Sequence, residues 1–172
     1  VASLLARLDR NPLPTADGRE LGGDAMMLGI VVALYNEQNW PSLTEALANA
    51  SDGDPEMAMY LADFYNERAQ GGGYLSNSTE AFTAYNCMDY PTETDEQYEA
   101  DKEYLAEHAP VTWQYMLGAD PCQYWPVPPS GVREPITAAG AAPILVVGTT
   151  GDPATPYAWA EAVTEQLESA TL

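Results

Sequence analysis

One uninterrupted apolar segment near the carboxyl end, Pro143-Ile-Leu-Val-Val-Gly148, constrains the fold of this chain more than any other feature. A run of branched residues without polar interruption is typical of a parallel β-strand that is buried on both faces. A loop over residues 149–155 follows, and Pro156 then suits the start of a helix with Thr155 as its N-cap. Three positions of that helix are expected to be buried: Ala160, Val163 and Leu167.

Strand, loop and helix together form half of a βαβ unit, and the chain ends where the next strand should begin. Such a strand would have no neighbour within this chain, and its unpaired backbone N–H and C=O groups would be costly if buried. The pattern therefore predicts that part of the parallel sheet lies outside this chain.

The first two thirds of the chain alternate between helical patterns and loops. Apolar residues at spacings of three and four predict helices over 1–9, 23–36, 94–108 and, for a turn or two, 111–117. Pro41 is expected to begin a further helix, and Asp54 is expected to cap one that begins at Pro55. Residues 81–87 are a short extended candidate, and residues 120–131, with four prolines, are expected to be irregular. The predicted apolar faces consist of Leu4, Leu5 and Leu8; Met27, Ile30, Val31 and Leu34; Leu43, Ala46, Leu47 and Ala50; and Met57, Tyr60, Leu61, Phe64 and Tyr65.

The charge of the chain excludes whole classes of partner. Six basic residues face 26 acidic ones, for a net charge of −20. A nucleic-acid backbone and an anionic membrane surface would both be repelled. The longest apolar run, Ala25–Tyr35, is far shorter than the roughly 20 residues that span a bilayer. We therefore expect no nucleic acid and no membrane span, and interpret the acidity as a soluble surface; a salt-adapted source or a cationic partner are the alternatives.

The cysteines and the single histidine do not form a zinc pattern. The chain has two cysteines, Cys87 and Cys122, and one histidine, His108, and their spacing fits no zinc pattern. The two cysteines are compatible with one disulfide or with two free buried thiols. We therefore expect no metal and no cofactor.

Asp152 is the strongest candidate for chemistry. It follows the carboxyl end of the predicted strand, where catalytic groups gather in open α/β sheets. Gly151 allows a tight turn before it, and Pro153 restrains the backbone after it. A carboxylate on such a loop could orient and stabilise a catalytic imidazole. An aspartate that caps a helix or closes a turn would give the same pattern, so both interpretations stay open.

Several segments together resemble one known family. Pro143–Pro156, with Trp159 and Ala160 beyond it, is similar to the segment around the triad acid in the actinobacterial tripeptidyl aminopeptidase (TAP-like) family of exported α/β-hydrolases, which are related to prolyl aminopeptidases. Tyr85-Asn-Cys-Met-Asp89, Cys122-Gln-Tyr-Trp-Pro126 and the helical run that contains Leu61-Ala-Asp-Phe-Tyr65 resemble elements of its lid. The resemblance covers most of the chain.

The resemblance implies a fold, a location and a role for particular residues. The chain would be mostly α: a helical lid over residues 1–135, then one βα unit of the parallel catalytic sheet over residues 136–172. Asp152 would be the triad acid, and Cys87 and Cys122 would pair as a lid disulfide, which a secreted or cell-envelope location in a bacterium permits. Trp125 and Trp159 are interpreted as packing residues.

The chain also departs from the family pattern. It contains no Gly-x-Ser-x-Gly nucleophile elbow, and α/β-hydrolases place the serine before the acid and the histidine after it. His108 precedes Asp152, so we interpret it as a surface histidine. The chain is therefore expected to be an internal or carboxyl-terminal fragment that is inactive by itself, because it lacks both nucleophile and catalytic histidine.

Three functions remain open at this stage. The first is a serine aminopeptidase, of the tripeptidyl or prolyl type, that releases single residues or short peptides from substrate amino termini through an acyl-enzyme. The second is a carboxylesterase or lipase-like enzyme of the same fold, since triad chemistry is shared. The third is a non-catalytic acidic helical module that binds a partner. The expected partners of the enzymes are a peptide or small ester substrate and the remainder of the hydrolase core.

Overall fold

A computed structural model describes residues 1–118, 120–152 and 154–172, so Pro153 lies outside the described residues. The chain divides into two compact units, residues 1–130 and residues 131–172, which we call unit 1 and unit 2. The lid and core ranges 1–135 and 136–172 stay a prediction. No helix within the described ranges is long and apolar enough to cross a bilayer.

Helices dominate the described residues, which confirms the mostly α fold class. The α-helices are α1 Ala2–Arg10, α2 Gly23–Leu34, α3 Trp40–Asp52, α4 Glu56–Tyr65, α5 Ser78–Asp89, α6 Asp95–His108, α7 Trp113–Met116 and α8 Tyr157–Gln166. The strands are β1 Leu13–Pro14, β2 Glu20–Leu21, β3 Ile144–Leu145 and β4 Ala170–Thr171, and short 3₁₀ turns cover Glu37–Asn39 and Pro121–Tyr124. β1 and β2 pair antiparallel in unit 1, and β3 and β4 pair parallel in unit 2.

The core of unit 1 lies between its first four helices. The predicted face of α1 is confirmed, because Leu4, Leu5 and Leu8 are all buried. Gly29 of α2 allows α2 and α4 to pack closely: a Cβ at this position would lie 3.1 Å from the carbonyl oxygen of Ala58. The other buried apolar residues are Leu21, Met26, Met27, Val32, Ala33, Ala46, Ala50, Ala58, Met59, Leu61, Ala62 and Cys87.

The predicted apolar faces of α2 and α4 are partly wrong. Leu34 is 49% exposed, and Tyr60, Phe64 and Tyr65 are exposed as well. Met27 and Leu61 of the predicted faces are buried, and the other buried residues of the two helices are small side chains and two further methionines: Gly23, Met26, Gly29, Val32 and Ala33 of α2, and Ala58, Met59 and Ala62 of α4. The physical reason is that close helix packing selects the face with small side chains, whereas α2 is apolar nearly all round and gives no periodic signal.

Two local predictions in unit 1 need correction. The extended segment at residues 81–87 is wrong, because these residues lie within α5. A run this short does not distinguish a strand from a buried helix by its periodicity. α4 begins at Glu56 rather than Pro55, although the Asp54 side chain still accepts a hydrogen bond from the backbone N–H of Glu56 at 3.0 Å. The polar helix α6 is confirmed, with a capping box between Thr94 and Gln97.

Arg7 ties α1 to the carboxyl end of α3. Its guanidinium donates to the carbonyl oxygen of Ala50 at 2.7 Å and to that of Ser51 at 3.1 Å. Both carbonyls belong to the last turn of α3, where the carbonyl of Ala50 accepts only the C-cap N–H of Gly53 at 3.3 Å from the backbone, and a cation is favourable at this end of the helix dipole. We expect Arg7→Met to lower the free energy of unfolding by about 1–2 kcal/mol in urea denaturation. Arg10→Met on the same helix removes the same charge and should cost less; an equal loss would contradict a specific role for Arg7.

Unit 2 contains the predicted strand in a shorter form and, unexpectedly, the beginning of its neighbour. The N–H of Ile144 donates to Ser169 O at 3.0 Å, and the N–H of Val146 donates to Thr171 O at 2.8 Å. The prediction that the chain stops before the next strand is therefore wrong, because Ala170–Thr171 begins it. Three residues between α8 and β4 suffice to return the backbone alongside β3, which periodicity alone could not reveal.

Only one face of the β3 segment is covered within unit 2. Gly148 packs so closely on α8 that a Cβ there would lie 2.8 Å from the Cβ of Ala160. On the opposite face Leu145 and Val147 are 73% and 81% exposed, so burial on both faces is not found among the described residues. Burial of a second face requires a second layer, which unit 2 does not supply.

The helix that follows the strand also differs in detail from its prediction. α8 begins at Tyr157 with Pro156, not Thr155, in the N-cap position. Val163 is 45% exposed, so it does not belong to a buried face within unit 2. Trp159 is likewise 61% exposed and is not a packing residue within this unit. Thr155 does not cap the helix; its backbone N–H and its side-chain hydroxyl both donate hydrogen bonds to Asp152.

Candidate functional site

Asp152 lies on a tight loop in the connection between β3 and α8. Gly151 has a φ of +74°, which is the left-handed conformation expected of the glycine before Asp152. The backbone N–H of Asp152 points back to Thr149 O at 3.4 Å. The loop that carries Asp152 thus follows the strand and has the tight turn that the sequence predicts.

Three hydrogen bonds hold the Asp152 carboxylate. Oδ1 accepts from the backbone N–H groups of Ala154 at 2.9 Å and Thr155 at 3.0 Å, and Oδ2 accepts from the Thr155 hydroxyl at 2.7 Å. These bonds lower the pKa of Asp152, with the backbone N–H of Thr155 as the largest cause, followed by the Thr155 hydroxyl and the N–H of Ala154. Since a carboxylate accepts about four hydrogen bonds, one acceptor position on Oδ2 is left for a further donor.

Thr155 is the residue of this site that sequence reasoning missed. The signal was present as Asp-x-x-Thr, a spacing at which Asp side chains and Thr hydroxyls close local turns. The arrangement is that of an aspartate that closes a turn, and it is also the arrangement expected of a carboxylate that orients an imidazole. The role of Asp152 as a triad acid stays a prediction.

Removing the Thr155 hydroxyl should raise the pKa of Asp152. Thr155→Val eliminates the bond to Oδ2 but keeps both backbone bonds, so the pKa should move toward the ordinary aspartate value without reaching it. Because the folded pKa of Asp152 is depressed, its ionised form stabilises the fold above the ordinary aspartate pKa, and this contribution is lost as pH falls through the depressed value. Carbon NMR titration of the carboxyl group measures the shift. Thr155→Ser retains the hydroxyl and should keep the low pKa; an unchanged pKa in the valine variant would contradict this account.

The structure contains the Cys87–Cys122 disulfide, with an S–S distance of 2.06 Å. It joins α5 to the 3₁₀ turn Pro121–Tyr124, and Cys87 is only 2% exposed. Two further bonds support this junction: Asp120 Oδ1 accepts from Cys122 N at 2.8 Å, and Met88 O accepts from Ser130 N at 2.7 Å. Both cysteines are thus paired, so the alternative of two free thiols is not found.

Neither His108 nor Trp125 has a contact with Asp152 among those found in the described residues. His108 is exposed at the end of α6, where its Nδ1 lies 2.8 Å from Tyr104 O and its ring stacks on that of Tyr104. Trp125 is half-buried, and its Nε1 is buried without a hydrogen-bond partner among the described residues. Within the described ranges no three His, Cys, Asp or Glu side chains come together as a metal site would require.

A known family matches the carboxyl-terminal part of the chain. The family model described as TAP-like protein, an α/β-hydrolase family, matches residues 109–172, which include Cys122 and the Asp152 loop.

Several mycobacterial proteins are similar to nearly the whole chain. The proteins named serine protease Hip1 in Mycobacterium tuberculosis and in Mycobacterium bovis are 36% identical over 166 residues, which cover 94% of this chain and 32% of the relative. Carboxylesterase B of Mycobacterium tuberculosis is 37% identical over 161 residues, or 90% of this chain and 31% of the relative. This chain spans about one third of the length of these curated relatives. Residues 109–172 therefore match the TAP-like family, and nearly the whole chain is similar to part of the mycobacterial hydrolases.

Proposed function

We propose that this chain is the lid and acid-loop portion of a serine hydrolase in which Asp152 is the triad acid. The observation that carries the proposal is the carboxylate of Asp152, held by three hydrogen bonds in the loop between β3 and α8, inside the family-matched segment. In such a triad the acid holds the imidazole in the correct tautomer and stabilises its protonated form. The free acceptor position on Oδ2 suits an imidazole N–H.

The other two triad members would come from sequence beyond these 172 residues. A serine before residue 1 would attack the substrate carbonyl and form the acyl-enzyme, and a histidine after residue 172 would carry the proton. The exposed face of Leu145 and Val147 supports a further layer of core at this point. By itself the chain would not catalyse the reaction, because a carboxylate supplies neither nucleophile nor proton shuttle.

We further propose that the reaction is aminopeptidase cleavage, of the tripeptidyl or prolyl type, with residues 1–135 as a lid that restricts access to the site. One set of relatives is named serine protease and another is named carboxylesterase, so ester hydrolysis is the second candidate. Peptide anilides with a free amino terminus and short-chain esters, assayed side by side on the complete hydrolase, separate the two. Turnover of esters alone would remove the peptidase proposal.

An exported location accompanies this proposal. The Cys87–Cys122 disulfide supports it, because disulfides persist in secreted and envelope compartments and are rare in a reducing cytosol. The strong negative charge suits an enzyme surface that stays soluble in that setting.

Labelling with a serine-reactive phosphonate tests the class of the protein. The complete hydrolase should be labelled at one serine, and a chain of residues 1–172 should not be, since it has no nucleophile elbow. Failure to label the complete protein would favour a non-catalytic acidic binding module. Labelling of the 172-residue chain would show that our account of the nucleophile is wrong.

A further inference from the structure

A concave surface of about 600 Å³ in unit 1 is lined by α6 and by one side chain of α7. We call it the α6 groove. Trp113 of α7 contributes a half-buried aromatic ring, and Ala100 and Ala106 of α6 contribute only methyl groups. The other lining residues are all on α6: Glu96, Glu99, Lys102 and Glu103. The groove thus combines an aromatic surface, open space above two alanines and several carboxylates.

The helix that forms the groove is covered by nothing within the described ranges. No residue of α6 is buried, although the helix is 14 residues long. Its lining residues Glu96, Glu99, Glu103 and Ala106 recur at spacings of three and four, so they share one helix face. From Glu96 to Ala106 this face runs about 15 Å. That distance corresponds to about four or five residues of an extended peptide, which the open face could hold alongside the helix.

The charge of the groove is strongly negative and only partly compensated. α6 carries six acidic residues and one lysine. Lys102 Nζ is already paired with Glu99, at 2.9 and 3.1 Å from its two carboxylate oxygens. The backbone N–H of Glu96, and then the Thr94 hydroxyl, lower the pKa of Glu96. Neither Glu96 nor Glu103 forms an ion pair with any of the described residues, so both leave negative charge uncompensated in the groove.

Three arginines of unit 1 are engaged at other places. Arg7 donates to the carbonyl oxygen of Ala50 at 2.7 Å. Arg19 donates to Asp63 at 2.6 Å, and Arg68 approaches the same carboxylate at 3.9 Å. A cation that compensates the α6 groove is therefore best supplied from outside the chain. A second copy of this chain, with a net charge of −20, would add repulsion instead.

We propose that the α6 groove is a docking site for an arginine-containing segment of a partner protein. Charge complementarity and the aromatic ring together argue for this occupant. A guanidinium would stack on Trp113 and present its planar fork to the carboxylate of Glu103, and a second basic residue would be attracted to Glu96. A nucleic acid or an anionic membrane would be repelled. The groove lies in unit 1, away from the Asp152 loop of unit 2 in sequence, so the inference does not depend on the proposed acyl transfer.

Two blocked peptides that differ only in charge test the proposal directly. The first is acetyl-Gly-Arg-Ala-Arg-Gly-amide, and the second has citrulline, an uncharged isostere, in place of both arginines. The acetyl and amide ends leave no free amine or carboxylate, so the guanidinium groups alone carry charge. NMR titration of the 172-residue chain should show that the arginine peptide binds at least about tenfold more tightly and that salt weakens it alone. Equal affinities, or no detectable binding of the arginine peptide, would overturn the proposal.

A matched pair of variants locates the bound guanidinium. Glu103→Gln removes one charge from the groove but keeps the shape of an exposed side chain, and Glu45→Gln removes one charge from the exposed surface of α3. Glu103→Gln should raise the dissociation constant of the arginine peptide about fivefold and leave that of the citrulline peptide unchanged, whereas Glu45→Gln should change neither. Equal weakening by both variants would mean that net charge, not the groove, attracts the peptide, which overturns the site.

A second variant tests the stacking of the guanidinium on the indole. Trp113→Leu keeps an apolar side chain but removes the aromatic face, so it should weaken the arginine peptide about threefold while the urea midpoint shows that the chain stays folded. Unchanged binding of the arginine peptide to this variant would contradict the stacking and overturn the proposal.

Titration of the complete hydrolase with the same peptides distinguishes a separate partner from the rest of the same protein. Equal affinity of the arginine peptide for the complete hydrolase and for the 172-residue chain supports a separate partner. Binding to the 172-residue chain alone would mean that the remainder of the hydrolase covers the α6 groove, which overturns the proposal.

Discussion

Asp152→Asn in the complete hydrolase is expected to lower kcat by about ten-thousand-fold while the protein stays folded. Asparagine retains one oxygen for the bonds from Ala154 and Thr155, so the loop should survive. It loses the negative charge that stabilises an imidazolium, and it can hold the imidazole in the wrong tautomer. The measurement is kcat on a peptide anilide, with the urea midpoint as a check on folding.

The control for this variant is Asp54, an aspartate that also closes a turn but has no proposed part in catalysis. Asp54 Oδ1 accepts from the backbone N–H of Glu56 at 3.0 Å, much as Asp152 Oδ1 accepts from Ala154. Asp54→Asn should leave kcat unchanged. If Asp152→Asn behaves in the same way as Asp54→Asn, Asp152 only closes a turn, and the proposed triad loses its acid.

Removal of the disulfide is expected to cost the chain about 3–4 kcal/mol of unfolding free energy. The double variant Cys87→Ser/Cys122→Ser opens a covalent link between residues separated by 35 positions, which increases the entropy of the unfolded chain. The effect should concentrate on α5, because Cys87 is the one residue of that helix described as buried. Urea denaturation gives the free energy of unfolding. Hydrogen exchange should show that the amides of α5 lose protection while those of α2 remain protected.

Reductant provides the internal control for this prediction. A dithiol should lower the urea midpoint of the wild-type chain to that of the double variant and should leave the double variant unchanged. A wild-type midpoint that does not respond to reductant would contradict a stabilising role for the Cys87–Cys122 bond.

The parts of the candidate site that the sequence predicts are those with local signals. Asp152 follows a branched apolar run and a glycine, and both the strand and the left-handed Gly151 are present. The contact of Thr155 with Asp152 also spans only three residues, but Thr155 suited an N-cap equally well. By its local sequence, the Thr155 hydroxyl could either cap the following helix or bond to Asp152. Because α8 begins at Tyr157 with Pro156 as its N-cap, the hydroxyl bonds to Asp152.

The sequence by itself determined the local elements of this protein: the amphipathic α1, the capping box of α6, and the turn that presents Asp152. Each depends on contacts within a few residues, which the chain makes in any context. Only the tertiary structure decided which faces of α2 and α4 are buried, that residues 81–87 are helical, and that Ala170–Thr171 pairs with β3. These outcomes depend on which neighbour approaches closely enough to exclude water, and positions such as Gly29 permit that approach only once both helices exist.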